Sequence, residues 1–419
     1  MAGSIGNQHR LPRSSLRARH PEAHECPEGG LTIEIPSIPD GEYGERMSKA
    51  QALIRERGLD ILLVNSNEAE FANVRYFSNY WPIFEIAGVV IPPEGEAALI
   101  IGPESEAFAR DRSKVKKVHK MTEYREPADP AYPGVSVSSF QEVFADVGVP
   151  QPRRIGIGGY LVTTAPVLDG LKAAFPGAEL VRADDIMVAL RSIKSENELR
   201  CLRKAFEIAE DAVEVVLKGL RPGMTELQVV GVAQGAIYER GAEYEGMPQY
   251  VFAGRSTRHA ISRPTHNVLE KGDLVQLNIS ARIDGYSSGV GVPVCLGKMR
   301  PRMKELVKFG LEAHQQTISW LKAGAPASDV AKRYRQLFVD RGYERCFLYG
   351  PCHGLGMIEV EPPWMEETSE YPLAPNMTFQ VDTFVSGDEF GLRWEDGGRV
   401  TADGFELFSG RFWGVNEIS

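Results

Sequence analysis

From residue 45 onward, apolar positions recur in two alternating rhythms. "MSKAQALIRERG" (47–58) carries apolar or alanine positions at helical spacing and stops at Gly58, which predicts a helix. "LDILLVN" follows as a buried strand, and "AGVVIPPEGEAALIIGPES" reads as two strands around a Pro-Glu-Gly turn. "RRIGIGG" and "AELVRAD" are short strands with the helix "APVLDGLKAAFPG" between them. Alternation of this kind predicts an α/β domain. A different order follows. "RSIKSENELRCLRKAFEIAEDAVEVVLKGL" is a long amphipathic helix that Ser195 can cap, and Pro222-Gly223 breaks it. "MTELQVVGVAQGAIYERG" is a second helix with Thr225 as its cap. A β-rich block at 250–297, helices near 301–322 and 327–341, and a β-rich block at 346–409 complete the pattern. Helix pair, sheet, helix pair, sheet suggests an internal duplication and an α+β domain.

Residues 1–44 have no such rhythm. They are rich in Arg, His, Pro and Gly and lack the apolar core of a secretory signal, so they are expected to form an extended or flexible arm, with His9, His20 and His24 outside any site. The expected organisation is this arm at 1–44, an α/β domain at 45–187 and a second domain at 188–419. Composition changes little in this picture. Hydrophobic residues are 43% and charged residues 25% of 419, as in ordinary globular proteins. The net charge is −10 and no basic stripe carries interleaved aromatics, which argues against a nucleic-acid partner. No apolar run approaches a membrane span. The cysteines are odd in number and scattered, which suits a reducing, cytoplasmic compartment. A small-molecule substrate is the expectation that remains.

Four segments hold the candidate chemistry. "GRSTRHAISRPTHN" places Arg255, Arg258, His259, Arg263 and His266 in a loop before a strand. "LVQLNISARIDGYSSGVGVPVCLG" reads as a hairpin containing Asn278, Tyr286 and Gly289. "GPCHGLGMIEVEPPW" sets His353 among glycines, followed by Glu359 and Glu361. The last segment puts Asp382 in one strand and Glu395 in another, where an unpaired charge is expensive. Glu359 and Glu361 are compatible with a loop surface.

"LRSIKSENEL", "EKGDLVQLN…DGYSSG", "CHGLG" and "RWEDGGRVTADGFEL", in this order and spacing, resemble the pita-bread family of prolidase, aminopeptidase P, methionine aminopeptidase and creatinase over residues 45 to 410. The resemblance implies an α+β pita-bread catalytic domain preceded by a smaller α/β creatinase/prolidase N-terminal domain, and a homodimer in which the loop "NVRYFSNYWPIFEIAG" brings Tyr80, Trp81 and Phe84 to an interface near the active site. It also implies, in the metal-dependent members, two divalent ions held by Asp, Asp, His, Glu and Glu. Those positions fall here on Asn278, Gly289, His353, Asp382 and Glu395. Two hard cations need anionic oxygens, and an amide and a glycine supply none.

The losses point toward the metal-free creatinase branch. The expectation is a metal-independent C–N hydrolase of a small amidine, guanidine or amide substrate, with no cofactor. His353, Asp382, Glu395 and His259 are its catalytic candidates, a histidine acting as general acid and base. Arg255, Arg258, His266, Asn278, Tyr286, Glu361, Trp81 and Phe84 are its substrate-binding candidates. The alternatives are a metal-dependent Xaa-Pro aminopeptidase or dipeptidase with a reduced site of one divalent ion on His353, Asp382 and Glu395, and a non-enzymatic binding protein or a lyase on the same fold.

Overall fold

Residues 34–418 are described in the computed structural model of the chain; most of the expected N-terminal arm, with its three histidines, lies outside them. The first helix, Asp40–Glu56, begins earlier than the apolar rhythm indicates. Its first turns bury the polar groups Glu42 and Arg46 beside Tyr43. Arg46 lies between Glu42 at 2.8 Å and Glu198 at 3.4 Å, and donates to the Tyr286 hydroxyl at 2.8 Å. A search for hydrophobic spacing does not detect a buried face made of ion pairs.

The N-terminal part is built on a six-stranded mixed sheet in the order Lys117–Lys120, Ala98–Ile101, Ala87–Ile91, Ile61–Ser66, Arg154–Gly158, Glu179–Arg182. The turn at Pro-Glu-Gly makes its two strands antiparallel, as read from the sequence, and Ile61–Ser66 runs parallel to Arg154–Gly158. The expected loop at 73–88 contains a short helix, Ala72–Ser78, and buries Tyr76, Phe77 and Tyr80 within the chain. Tyr80 therefore packs inward and is not free to form an interface. Phe84 at the tip is 71% exposed.

The larger part has the expected helix pairs, Glu196–Gly219 with Glu226–Glu239 and Pro301–Trp320 with Ala327–Asp340. Ser195 and Thr225 each close a reciprocal capping box, satisfying orphan amides at the helix start. These helices cover a nine-stranded sheet whose main path runs Glu361–Met365, Cys352–Gly354, Thr378–Ser386, Gly391–Val400, Val290–Leu296, Leu274–Ile279, Tyr250–Ala253. Fold class and element order match the sequence reading. Among the described residues, no helix is long and apolar enough to cross a membrane.

Register in this sheet positions the site. Asn278 pairs with Gly291, Gly291 with Glu395, and Glu395 with Asp382, so four positions form one row across four strands. Residues opposite one another on paired strands point to the same face. A Cβ on Gly291 would come within 2.6 Å of the Glu395 Cβ and 3.0 Å of the Asn278 amide nitrogen. The missing side chain is what lets Asn278 reach across to Glu395.

Candidate active site

A cavity of about 790 Å³ opens over this row. That size suits a small ligand. Trp81, Tyr244, Tyr250, Ile261 and Trp364 form apolar walls, and His353, Glu359, Asp382 and Glu395 lie at its polar end.

His353 comes from the short strand Cys352–Gly354 and is 7% exposed. Its Nδ1 lies 3.0 Å from the Gly354 carbonyl oxygen, which can only accept, so the proton is on Nδ1. In the neutral ring Nε2 then carries the lone pair, and it sits 4.0 Å from Glu359. One carboxylate oxygen each from Glu359 and Glu395, with a His353 ring nitrogen, lie within 4.8 Å of one another. One Glu359 oxygen is buried without any hydrogen-bond partner. Desolvation and then the neighbouring Glu359 charge push the Glu395 carboxyl well above the ordinary carboxylate range. Burial also raises Glu359, opposed in part by His353. Close carboxylates cannot both ionise cheaply without a cation.

Asp382 is occupied differently. It lies 2.9 Å from Arg393 Nε and accepts from the Tyr349 hydroxyl at 2.9 Å, while Arg393 donates to that hydroxyl at 2.6 Å. The 2.9 Å ion pair has poor hydrogen-bond geometry, since both of its atoms lack a properly aligned partner. Its charge is nonetheless balanced at close range. Asn278 is turned so that its amide donates to Glu395, while its carbonyl accepts from Gln276 at 2.9 Å. It therefore presents the site with a donor rather than a lone pair. Gly289 has no side chain, but a Cβ there would meet Glu359 Oε1 at 3.1 Å. Glu359 thus reaches from its loop to the space beside Gly289, where the second aspartate was expected.

The other sequence candidates scatter. Arg255, Arg258 and His259 are exposed and line a separate cavity with Glu270 and Asp273. His266 is exposed and lines neither cavity. Tyr286 is buried behind the site and donates to Glu198 at 2.6 Å. Glu361 is neutralised by Lys194 at 3.1 Å and by Arg191, and joins the two parts of the chain. Trp81 lines the main cavity; Phe84 does not. Sequence reasoning left Glu359 as a possible surface loop and passed over Arg282, Tyr244, Tyr250, Tyr349 and Trp364, which also line the cavity. An acid inside an apolar, glycine-rich run was the available signal for Glu359. No motif position marked it.

Comparison with known proteins identifies the family of both parts of the chain. Residues 46–193 match the creatinase/prolidase N-terminal domain and residues 200–402 match metallopeptidase family M24. The chain is 24% identical over 362 residues to an Xaa-Pro dipeptidase of Pyrococcus furiosus, covering 86% of this chain and 96% of that protein. It is 29% identical over 242 residues to an Xaa-Pro dipeptidase of Lactobacillus delbrueckii, covering 57% and 66%. In structure it is similar to an Xaa-Pro dipeptidase from Bacillus anthracis, with a TM-score of 0.77 at 22% identity over 90% of this chain and all of the other. The expectation of a site without any cofactor is corrected by these findings, because the family matched over the site is one of metallopeptidases.

Proposed function

We propose, from the premise that this chain belongs to metallopeptidase family M24 and carries its creatinase/prolidase N-terminal domain, that it is a metal-dependent dipeptidase of the Xaa-Pro type with a reduced, single-ion site. Membership makes it a hydrolase of C–N bonds, as expected from the sequence. The observation that carries the finer reading is the donor set His353, Glu359 and Glu395, one imidazole and two carboxylates converging at the polar end of the cavity.

The residues fit one divalent cation. They can supply one imidazole nitrogen and two carboxylate oxygens, and Glu359 has an oxygen that lacks any partner. Such a mixed donor set suits a transition ion. The residues do not fit two. Asn278 offers a donor, Gly289 offers nothing, and Asp382 is already paired with Arg393. When bound, a divalent cation supplies Lewis-acid polarisation of the scissile carbonyl.

The remaining steps belong to the chain itself. The Gly354 carbonyl fixes the His353 tautomer, so the neutral imidazole presents its lone pair on Nε2. Asn278 holds one Glu395 oxygen by donation and so orients the other. Tyr349, anchored between Asp382 and Arg393, places a polar hydroxyl at the cavity wall. Trp81, Tyr244 and Trp364 line the apolar portion of the cavity.

The test is elemental analysis and titration of the chelator-treated protein with Mn²⁺ or Zn²⁺, alongside assays on Ala-Pro. The expected result is one equivalent per chain and metal-dependent release of proline. Stoichiometric binding of two ions would overturn the single-ion site, and turnover unaffected by chelation would overturn metal dependence.

A further inference from the structure

Arg282 is a buried cation in the cavity wall without a counter-charge at contact distance. It follows the strand Leu274–Ile279, is 7% exposed and lines the same cavity as His353. Its Nε donates to the Ser287 hydroxyl at 3.2 Å and its Nη2 to the Gly246 carbonyl at 3.1 Å. Both acceptors are neutral. The second terminal nitrogen, Nη1, donates to no group of the described residues.

The nearby acids do not fill the gap. Glu243 is held by Arg75 at 2.8 Å and by the Gly285 amide at 2.7 Å. Glu245 lines the same cavity but forms no ion pair with Arg282. Among the other cavity arginines, Arg393 is committed to Asp382, Tyr349 and the Ala260 carbonyl, and Arg263 is exposed. Aromatic rings surround the Arg282 guanidinium: Phe71 at 4.4 Å, Trp81 at 4.9 Å and Tyr244 at 5.7 Å from their centroids. Trp81 and Tyr244 meet edge to face at 5.3 Å, and the Trp81 indole nitrogen is fixed to the Glu68 carbonyl at 3.0 Å. The rings hold the planar fork in one orientation and shield it from water. Burial lowers its pKa to about 10, and the more distant Glu243 and Glu245 charges offset this only in part. A desolvated charge lacking a partner is expensive, and the planar fork matches a carboxylate.

We propose that Arg282 anchors the free carboxylate of the substrate, with Trp81 and Tyr244 clasping the adjacent residue, so that the site selects short peptides ending at this point. The inference rests on the dipeptidase reading for the identity of the substrate, while the anchor itself is an equilibrium property of the cavity.

The probes are L-proline and L-prolinamide, titrated against the metal-loaded protein by Trp fluorescence and by calorimetry, and Ala-Pro as substrate. In the unmodified protein, proline should bind at least tenfold more tightly than prolinamide. Arg282→Met should abolish that preference and raise KM for Ala-Pro by at least tenfold with kcat within about threefold. Arg282→Lys should retain part of the preference. Metal content and melting temperature of the variants report whether they fold. A structural role alone would not move the acid-to-amide ratio. Equal binding of acid and amide by the unmodified protein would overturn the proposal without needing any variant. An unchanged preference in Arg282→Met would also overturn it, whether or not the dipeptidase reading held. An Arg282-dependent preference in a protein that does not cleave Ala-Pro would uphold the anchor and remove only the dipeptidase reading.

Discussion

Glu395 and Asp396 are neighbours on one strand, yet they lie in opposite electrostatic worlds. Glu395 faces the cavity beside Glu359, with burial and like charge both acting against ionisation. Asp396 faces the other way, because successive strand residues alternate. There it accepts from His314 at 3.0 Å, Trp413 at 2.7 Å and Ser409 at 2.5 Å. Both are buried. The same contrast recurs in the loop two residues apart, where Glu359 has an orphan oxygen while Glu361 is held by Lys194 and Arg191. Burial of an acid is therefore not what marks a site in this protein. Unmet demand for a cation marks it, and a satisfied acid is part of the frame.

The contrast can be broken most directly by amide substitutions. Glu395→Gln and Glu359→Gln should each reduce turnover by at least about a hundredfold and weaken metal binding by at least tenfold, the scale seen when metal-supporting groups are lost, with the chelated protein no less stable than before. Metal titration and thermal melts check both halves. Asp396→Asn should do the reverse. It should cost about 1–3 kcal/mol of stability through the His314, Ser409 and Trp413 hydrogen bonds, with metal stoichiometry unchanged. Large stability losses in Glu359→Gln would erase the distinction.

Metal removal sharpens it further. A cation at a thousandfold its Kd stabilises by about 4 kcal/mol, and at a hundredfold by about 2.7 kcal/mol, so chelation should lower the melting temperature of the unmodified protein more than that of Glu359→Gln. The pH dependence has a defined sign. Glu395 and Glu359 are raised from 4.5 in the folded chain, so the metal-free fold binds more protons than the unfolded chain. Its stability should fall as pH rises from about 4.5 through the folded-state values. Bound metal should flatten that decline, and melts across pH with and without metal read it. The smallest effect is expected at Phe84, which is 71% exposed and contacts neither acid set; Phe84→Ser should change stability by less than about 0.5 kcal/mol.

Local signals carried most of the fold. Ser195 and Thr225 marked their helix starts because a capping box is written in four consecutive residues. The strands around Pro-Glu-Gly and the helix Pro301–Trp320 were equally legible from spacing and breakers. The helix Asp40–Glu56 was only half legible, since its first turns bury Arg46 and Glu42 through partners more than a hundred residues away. Tyr80 was misread as exposed because its burial depends on packing around it, including Phe108 at 5.4 Å.

The site divides in the same way. By itself the sequence determined the element order and the helix caps, which depend on residue identity and short spacing, while its family resemblance implied the loss of side-chain ligands at Asn278 and Gly289 and the candidacy of His353 and Glu395. Only the tertiary structure decided which acids demand a cation. Arg393 neutralises Asp382 across a strand pair, Glu359 enters beside Gly289 from a loop, and Arg282 faces the cavity with no carboxylate at contact distance among the described residues. The physical reason is that a buried charge takes its role from whatever stands within a few ångströms of it, and in a sheet those neighbours come from strands far apart in the chain.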